Sequence, residues 1–216
     1  MVGRFRGLDE LFGENIAKFY NQWYIENSYE DKLEKDLIIE LIKPEENESV
    51  LDIGCGCAWH LKWFKELGLK IKGIDKSPFM VKEANKFLGE DIVETQDASS
   101  LKFADNSFDI TTLITVLEFI HNPEKVLKEA MRVARKKVFV GVLNKFSWLG
   151  MKRKIEVLWK KNSLYKKAKF FSVKELLNMI NKLKKDDTEI VWKTVIPHPP
   201  KRNKWGVFIG VGIIKG

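Results

Sequence analysis

Beyond residue 43, short β-branched runs alternate with amphipathic runs of helical period, and no other feature restricts the fold of this chain as much. Strand-like runs fall at 50–53, 70–74, 92–96, 108–114 and 138–143, and helical runs at 58–67, 78–87 and 123–133. The second and third helical runs open on Pro78 and Pro123, at a first-turn position where the missing N–H costs nothing. Strand, helix and strand in succession favour parallel pairing through crossovers, so the predicted fold is an α/β doubly wound sheet. Two later runs, 190–196 and 206–214, add strands and are joined through Pro197-His198-Pro199-Pro200.

Two regions stand outside that alternation. Residues 1–43 read as helices rich in aromatics, among them Phe12, Phe19, Tyr20, Trp23 and Tyr24. Residues 144–187 read as a second helical region dense in Lys and Arg, in which Trp148, Leu149, Met151, Ile155, Leu158 and Trp159 interleave with the charges. Such interleaving suits a cover over a pocket or a contact with a membrane surface. The formal charge of +8 fits attraction to anionic partners as well as simple solubility. Apolar stretches fall short of the roughly 20 residues a membrane-spanning helix needs, and the first ten residues lack the apolar core of a secretory signal. A cytoplasmic protein is expected. Its Lys and Glu abundance, with only two glutamines, resembles the bias of heat-loving organisms. Cys55 and Cys57 are too close for an unstrained disulfide, and three histidines with no further cysteine predict no metal site.

Chemistry concentrates at Val50-Leu51-Asp52-Ile53-Gly54-Cys55-Gly56-Cys57-Ala58-Trp59, a buried strand running into a glycine turn that opens a helix. Glycine at 54 and 56 lets backbone approach a ligand, which points to a nucleoside-like group at the end of the first strand. A dinucleotide fingerprint requires a third glycine where Trp59 stands, and the Asp52 carboxylate would repel a pyrophosphate while favouring a cation. Asp75 ends the second strand about 20 residues past the turn, the spacing of an acid that holds ribose hydroxyls. Ser77 can also cap the helix at Pro78. The third strand ends at Gln96-Asp97-Ala98, where a carboxylate beside backbone can meet the amine of adenine.

Together with Gly73-Ile74-Asp75-Lys76-Ser77-Pro78-Phe79-Met80, Asp97 through Phe103, and Ser107-Phe108-Asp109 through Leu117-Glu118-Phe119-Ile120, these segments resemble the class I S-adenosylmethionine-dependent methyltransferases. The closest likeness is to the ubiquinone- and menaquinone-biosynthesis group, and it covers about residues 15–143. The resemblance implies a Rossmann-like seven-stranded, mostly parallel sheet with an antiparallel last strand, N-terminal helices and a basic helical insertion. It also implies S-adenosylmethionine as cofactor, with Asp52, Gly54 and Gly56 around the methionine part. Asp75 and Lys76 would lie at the ribose, Asp97 and Ala98 at adenine, and Met80 and Thr115 along the same pocket. Phe19-Tyr20-Asn21-Gln22-Trp23 resembles the family's lid segment, so Tyr20 and Trp23 are expected over the cofactor, although Asn21 stands where an acid is usual. Ala58 replaces the third glycine of the turn, and Lys102 replaces a common proline.

Methyl transfer from a sulfonium needs no obligatory base, because the leaving thioether departs neutral. For an acceptor that must lose a proton, His121 beyond the fourth strand is the expected base, with His198 second. The organisation expected is one methyltransferase domain over 1–216. Residues 1–43 form its lid, 44–143 the cofactor core, 144–187 a cover for the acceptor and 188–216 a strand pair. A small or lipid-like acceptor, anionic in one version, is favoured over RNA because no separate RNA-binding module is visible. A nicotinamide-linked oxidoreductase and a catalytically silent cofactor-binding protein are the other readings.

Overall fold

The structure is a computed structural model that describes residues 12–147, 168–195 and 205–216. Its elements in chain order are α1 (Glu14–Glu26), α2 (Ser28–Ile42), β1 (Ser49–Ile53), α3 (Trp59–Glu66), β2 (Lys70–Asp75), α4 (Pro78–Leu88), β3 (Val93–Thr95) and β4 (Phe108–Ile114). A 3-10 turn (Leu117–Phe119) follows, then α5 (Pro123–Val133), β5 (Ala134–Leu143), α6 (Val173–Leu183), β6 (Thr188–Val195) and β7 (Phe208–Lys215). The strands form one seven-stranded sheet in the order β3-β2-β1-β4-β5-β7-β6. Pairing is parallel from β3 through β5, and β7 runs antiparallel between β5 and β6. The order reverses between β1 and β4, so the carboxyl ends of these two strands open the crevice in which such sheets hold ligands.

Alternation along β5 shows how the sheet is sandwiched. Val138, Val140 and Val142 pack with Val126, Leu127 and Ala130 of α5 and with Leu176 and Ile180 of α6. Phe139 faces the other way, against Leu37, Ile38 and Leu41 of α2 and Phe64 of α3. Both faces are buried, which is why these strands read as nearly continuous apolar runs.

The expected strand starts and helix ends shift where charge or backbone conformation intervenes. β5 begins at Ala134, four residues before the apolar run, because Arg135, Lys136 and Lys137 extend the strand at its amino end and find carboxylates there. α3 begins at Trp59 because Ala58 is left-handed, at φ 65°. The expected basic helical region, 144–187, is described at its two ends, where one helix, α6, occupies 173–183. Residues 148–167, the first eleven residues and the Pro-rich loop with His198 lie outside the described residues.

Asp109 is the hub at the amino end of the strands. It accepts from the Ser49 amide and hydroxyl at 3.0 and 2.8 Å and pairs with Arg135 at 2.6 Å and Lys136 at 3.2 Å. Burial works against its charge, yet these donors hold its carboxyl far below the usual range. Asp109→Ala is expected to cost about 2 kcal/mol in urea unfolding at neutral pH, the scale of lost charge-assisted hydrogen bonds. The difference from wild type should shrink as pH falls through the carboxylate range.

Candidate cofactor site

The turn after β1 is built from left-handed backbone at Gly54 (φ 74°) and Gly56 (φ 53°). A Cβ at Gly54 would stand 2.6 Å from Val116, and one at Gly56 would stand 3.2 Å from the Tyr20 ring. The Gly54 and Cys55 amides donate to the Ile74 carbonyl at 2.8 and 3.0 Å, which fixes the turn to the end of β2. Asp75, the last residue of β2, accepts from the Gly56 amide at 3.0 Å on one oxygen and from the Ser77 amide at 2.8 Å on the other. Burial pushes its carboxyl up, and those amides pull it back toward the charged form. Each oxygen keeps a lone-pair direction for a further donor.

A cavity of about 410 Å³ opens over this turn, within the usual range for small-molecule sites. Of the residues expected at the site, Gly54, Gly56, Asp75, Lys76, Met80, Asp97, Ala98, Thr115, Tyr20 and His121 line it together. Asp97 caps the Ser99 amide at 2.8 Å, an interaction that lowers its pKa, and lies 3.9 Å from the Lys76 ammonium. Thr115 holds a left-handed conformation at φ 52°, tied by its amide to the Gly141 carbonyl at 2.8 Å. Such a backbone in a β-branched residue costs energy and is kept where surrounding structure fixes it. His121 stands exposed at the rim.

Two expected residues lie elsewhere. Asp52 is buried beneath the turn, hydrogen-bonded to the Thr112 hydroxyl at 2.6 Å, because the pleat turns it toward β4 instead of the cavity. Burial raises its pKa to about 7, offset in part by Thr112. Trp23 sits half exposed on the outer face of α1, since three residues on a helix displace it about 60° from Tyr20. Tyr24 turns inward in its stead, stacks on Trp59 with centroids 5.3 Å apart, and packs edge-on against the buried His60. The Trp59 indole donates to Asp31 at 2.9 Å, so the residue that disfavours a dinucleotide site anchors α3 to α2.

Helix α1 covers one side of the cavity. Ser77 donates its hydroxyl to the Phe12 carbonyl at 2.7 Å, Asn21 donates to the Cys57 carbonyl at 3.2 Å, and the Cys57 thiol donates to the Ala17 carbonyl at 3.3 Å. Burial pushes that thiol up to about 12, so Cys57 acts as a packed donor. Phe12 and Phe119, in edge contact at 5.2 Å, complete the apolar wall with Ile120 and Val116. Phe12 reads in the sequence only as one of the aromatics of residues 1–43, since the docking of α1 is what brings it to the cavity. Gln96, named in its segment without a role, and Asn122 and Lys125, not singled out, also line it.

Glu118 has a sequence signal, a carboxylate inside the apolar run 116–120, but it received no role. It is buried, and one oxygen accepts from the Leu143 amide at 2.6 Å while the other has no hydrogen-bond partner among the described residues. Burial raises its pKa to about 7 despite the Leu143 bond.

A strand, glycine turn and helix, with carboxylates at the ends of the next two strands in this strand order, define a nucleoside-cofactor-binding α/β protein. The family model for a methyltransferase domain matches residues 51–140. An uncharacterized protein of Methanocaldococcus jannaschii is 33% identical over 172 residues, 79% of this chain and 78% of that protein. A demethylmenaquinone methyltransferase of Renibacterium salmoninarum is 29% identical over 99 residues, 46% of this chain and 42% of the enzyme, so the chain spans less than half the length of that relative. A solved S-adenosylmethionine-dependent methyltransferase of Thermotoga maritima is 26% identical, with a TM-score of 0.76 over 95% of this chain and 99% of that one. The chain belongs to the S-adenosylmethionine-dependent methyltransferases, and its cofactor is S-adenosylmethionine.

A buried Glu whose folded pKa lies above the unfolded value loses stability as pH rises through that interval. Glu118→Gln should therefore gain on wild type between pH 4.5 and about 7, by about 3 kcal/mol at the upper end. Urea unfolding across that range checks it, and a constant difference would mean that the carboxyl does not titrate there.

Proposed function

We propose that this chain transfers a methyl group from S-adenosylmethionine to a small or lipid-like acceptor, with the cofactor held in the cavity over the glycine turn. The carrying observation is Asp75, fixed by two backbone amides on the floor of that cavity, with Asp97 and Ala98 on its wall. The absence of side chains at Gly54 and Gly56 leaves the space that a Cβ would narrow against Val116 and Tyr20, and the residues present fit the cofactor. In this reading Asp75 accepts the ribose hydroxyls, with Lys76 beside it. Asp97 and the Ala98 backbone meet the adenine edge, and Gly54, Gly56, Met80 and Thr115 flank the methionine portion.

When bound, the cofactor supplies an electrophilic methyl group on a sulfonium, offered to an acceptor lone pair with the carbon–sulfur bonding electrons left on sulfur. The protein's work is then alignment and exclusion of water, served by Tyr20, Phe12 and Phe119 around the cavity. Asp52, once ionised, adds negative charge beneath the turn, favouring a cationic donor over its neutral product. His121 at the rim takes the proton of an acceptor that carries one. The apolar wall and the demethylmenaquinone methyltransferase relative support an apolar acceptor.

Calorimetric titration with S-adenosylmethionine and NAD in parallel tests this reading. Wild type should bind only the former, and Asp75→Ala should weaken it by about tenfold or more, the scale of charge-assisted hydrogen bonds. Binding of NAD, or an unchanged affinity in Asp75→Ala, would overturn the assignment.

A further inference from the structure

Exposed aromatic side chains gather at one end of this molecule. Phe19 lies on the outward side of α1, the helix whose inner side docks on the glycine turn, and it is 72% exposed. Phe79 follows directly on the carboxyl end of β2, and Phe146, 54% exposed, follows that of β5. Trp205, 58% exposed, precedes β7, whose antiparallel course starts beside Leu143 at that same end. Trp23 completes the outward face of α1. Among the described residues, Trp192 on the edge strand β6 is the one exposed phenylalanine or tryptophan that lies elsewhere. The opposite end of the sheet carries the ion-pair network of Glu48, Asp109, Arg135, Lys136 and Lys137.

The described residues stop and resume at this same aromatic end. The chain leaves the described structure at Ser147, just past β5, and returns at Ala168, next to Lys169, whose amide bonds the Glu118 carbonyl at 2.7 Å. It leaves again at Val195 and returns at Trp205, where the Asn144 amide bonds the Val207 carbonyl at 2.8 Å. All four points lie at the carboxyl end of the sheet. The two stretches between them, 148–167 and 196–204, hold ten Lys and Arg against a single acid, Glu156. Rings exposed beside tethered basic chain suit a layer that is apolar inside and anionic at its surface.

We propose that the carboxyl-end face of this protein docks on an anionic phospholipid membrane, which presents a lipid-like acceptor to the cavity mouth. The docking rests on the surface itself, and only the delivery of the acceptor rests on the function proposed above. Phe19, Phe146 and Trp205 enter the interfacial layer, and the basic sequence of 148–167 and 196–204 supplies positive charge for anionic headgroups. No helix among the described residues is long and apolar enough to span a membrane, so the contact is peripheral.

Co-sedimentation with phosphatidylcholine vesicles, with and without phosphatidylglycerol, tests the proposal. Binding should be at least about tenfold stronger with phosphatidylglycerol and should weaken with added salt. The variant Phe19→Ser/Phe146→Ser/Trp205→Ser should lose about tenfold or more of that binding, while its calorimetric affinity for S-adenosylhomocysteine stays at the wild-type value. Phe19→Ser alone should show a partial loss. No binding to phosphatidylglycerol vesicles, or binding indifferent to these substitutions, overturns the proposal. So does self-association in sedimentation velocity that the triple variant abolishes, without vesicle binding, since that assigns the face to a second copy of the chain. Wild-type protein that binds vesicles but not S-adenosylhomocysteine supports the docking and counts against the function reading alone.

Discussion

The carboxylate of Asp75 and the amide of Gly56 form the contact on which the site depends. One oxygen of Asp75 holds the glycine turn, the other holds the amide that starts the cap of α4, and Ser77 of that cap bonds the chain entering α1. Turn, second strand, fourth helix and the entry to α1 are therefore referenced to one side chain. The sheet supplies the second constraint. Its order reverses between β1 and β4, so no crossover fills the space above their carboxyl ends, and the cavity lies there.

Buried polar groups surround that space without facing it. Asp52 lies under the turn, Glu118 behind the wall formed by Phe119 and Ile120, and His60 beneath Tyr24, with burial lowering its pKa to about 3. Burial brings the neutral forms of Asp52 and Glu118 within reach near neutral pH, so the charge around the cavity depends on pH. The rigid parts of the site are apolar packing and backbone hydrogen bonds, and its adjustable part is electrostatic.

Much of this was legible in the sequence because strand ends carry their own punctuation. Asp75 and Asp97 stand where β-branched runs stop, and Gly54 and Gly56 stand where the first run meets a helix. Facing was harder to read. Asp52 belongs to the right motif, but strand pleating turns it to Thr112, and Trp23 belongs to the expected segment of α1, but the helical period puts Tyr20 and Tyr24 inside. Arg135, Lys136 and Lys137 hid the start of β5, since they satisfy their charges on Glu48 and Asp109, residues remote in sequence. Phe12 stood among the aromatics of residues 1–43, but its place at the cavity follows only from the packing of α1. Tertiary contacts with distant partners decided each of these positions, and local pattern does not encode them.

A crystal structure with S-adenosylhomocysteine bound tests the central claim most directly. The account predicts the ribose hydroxyls on the free lone pairs of Asp75, the adenine beside Asp97 and Ala98, and α1 still bonded to Cys57 and Ser77. A ligand bound outside this cavity, or an Asp75 that keeps only its two backbone partners, would contradict it.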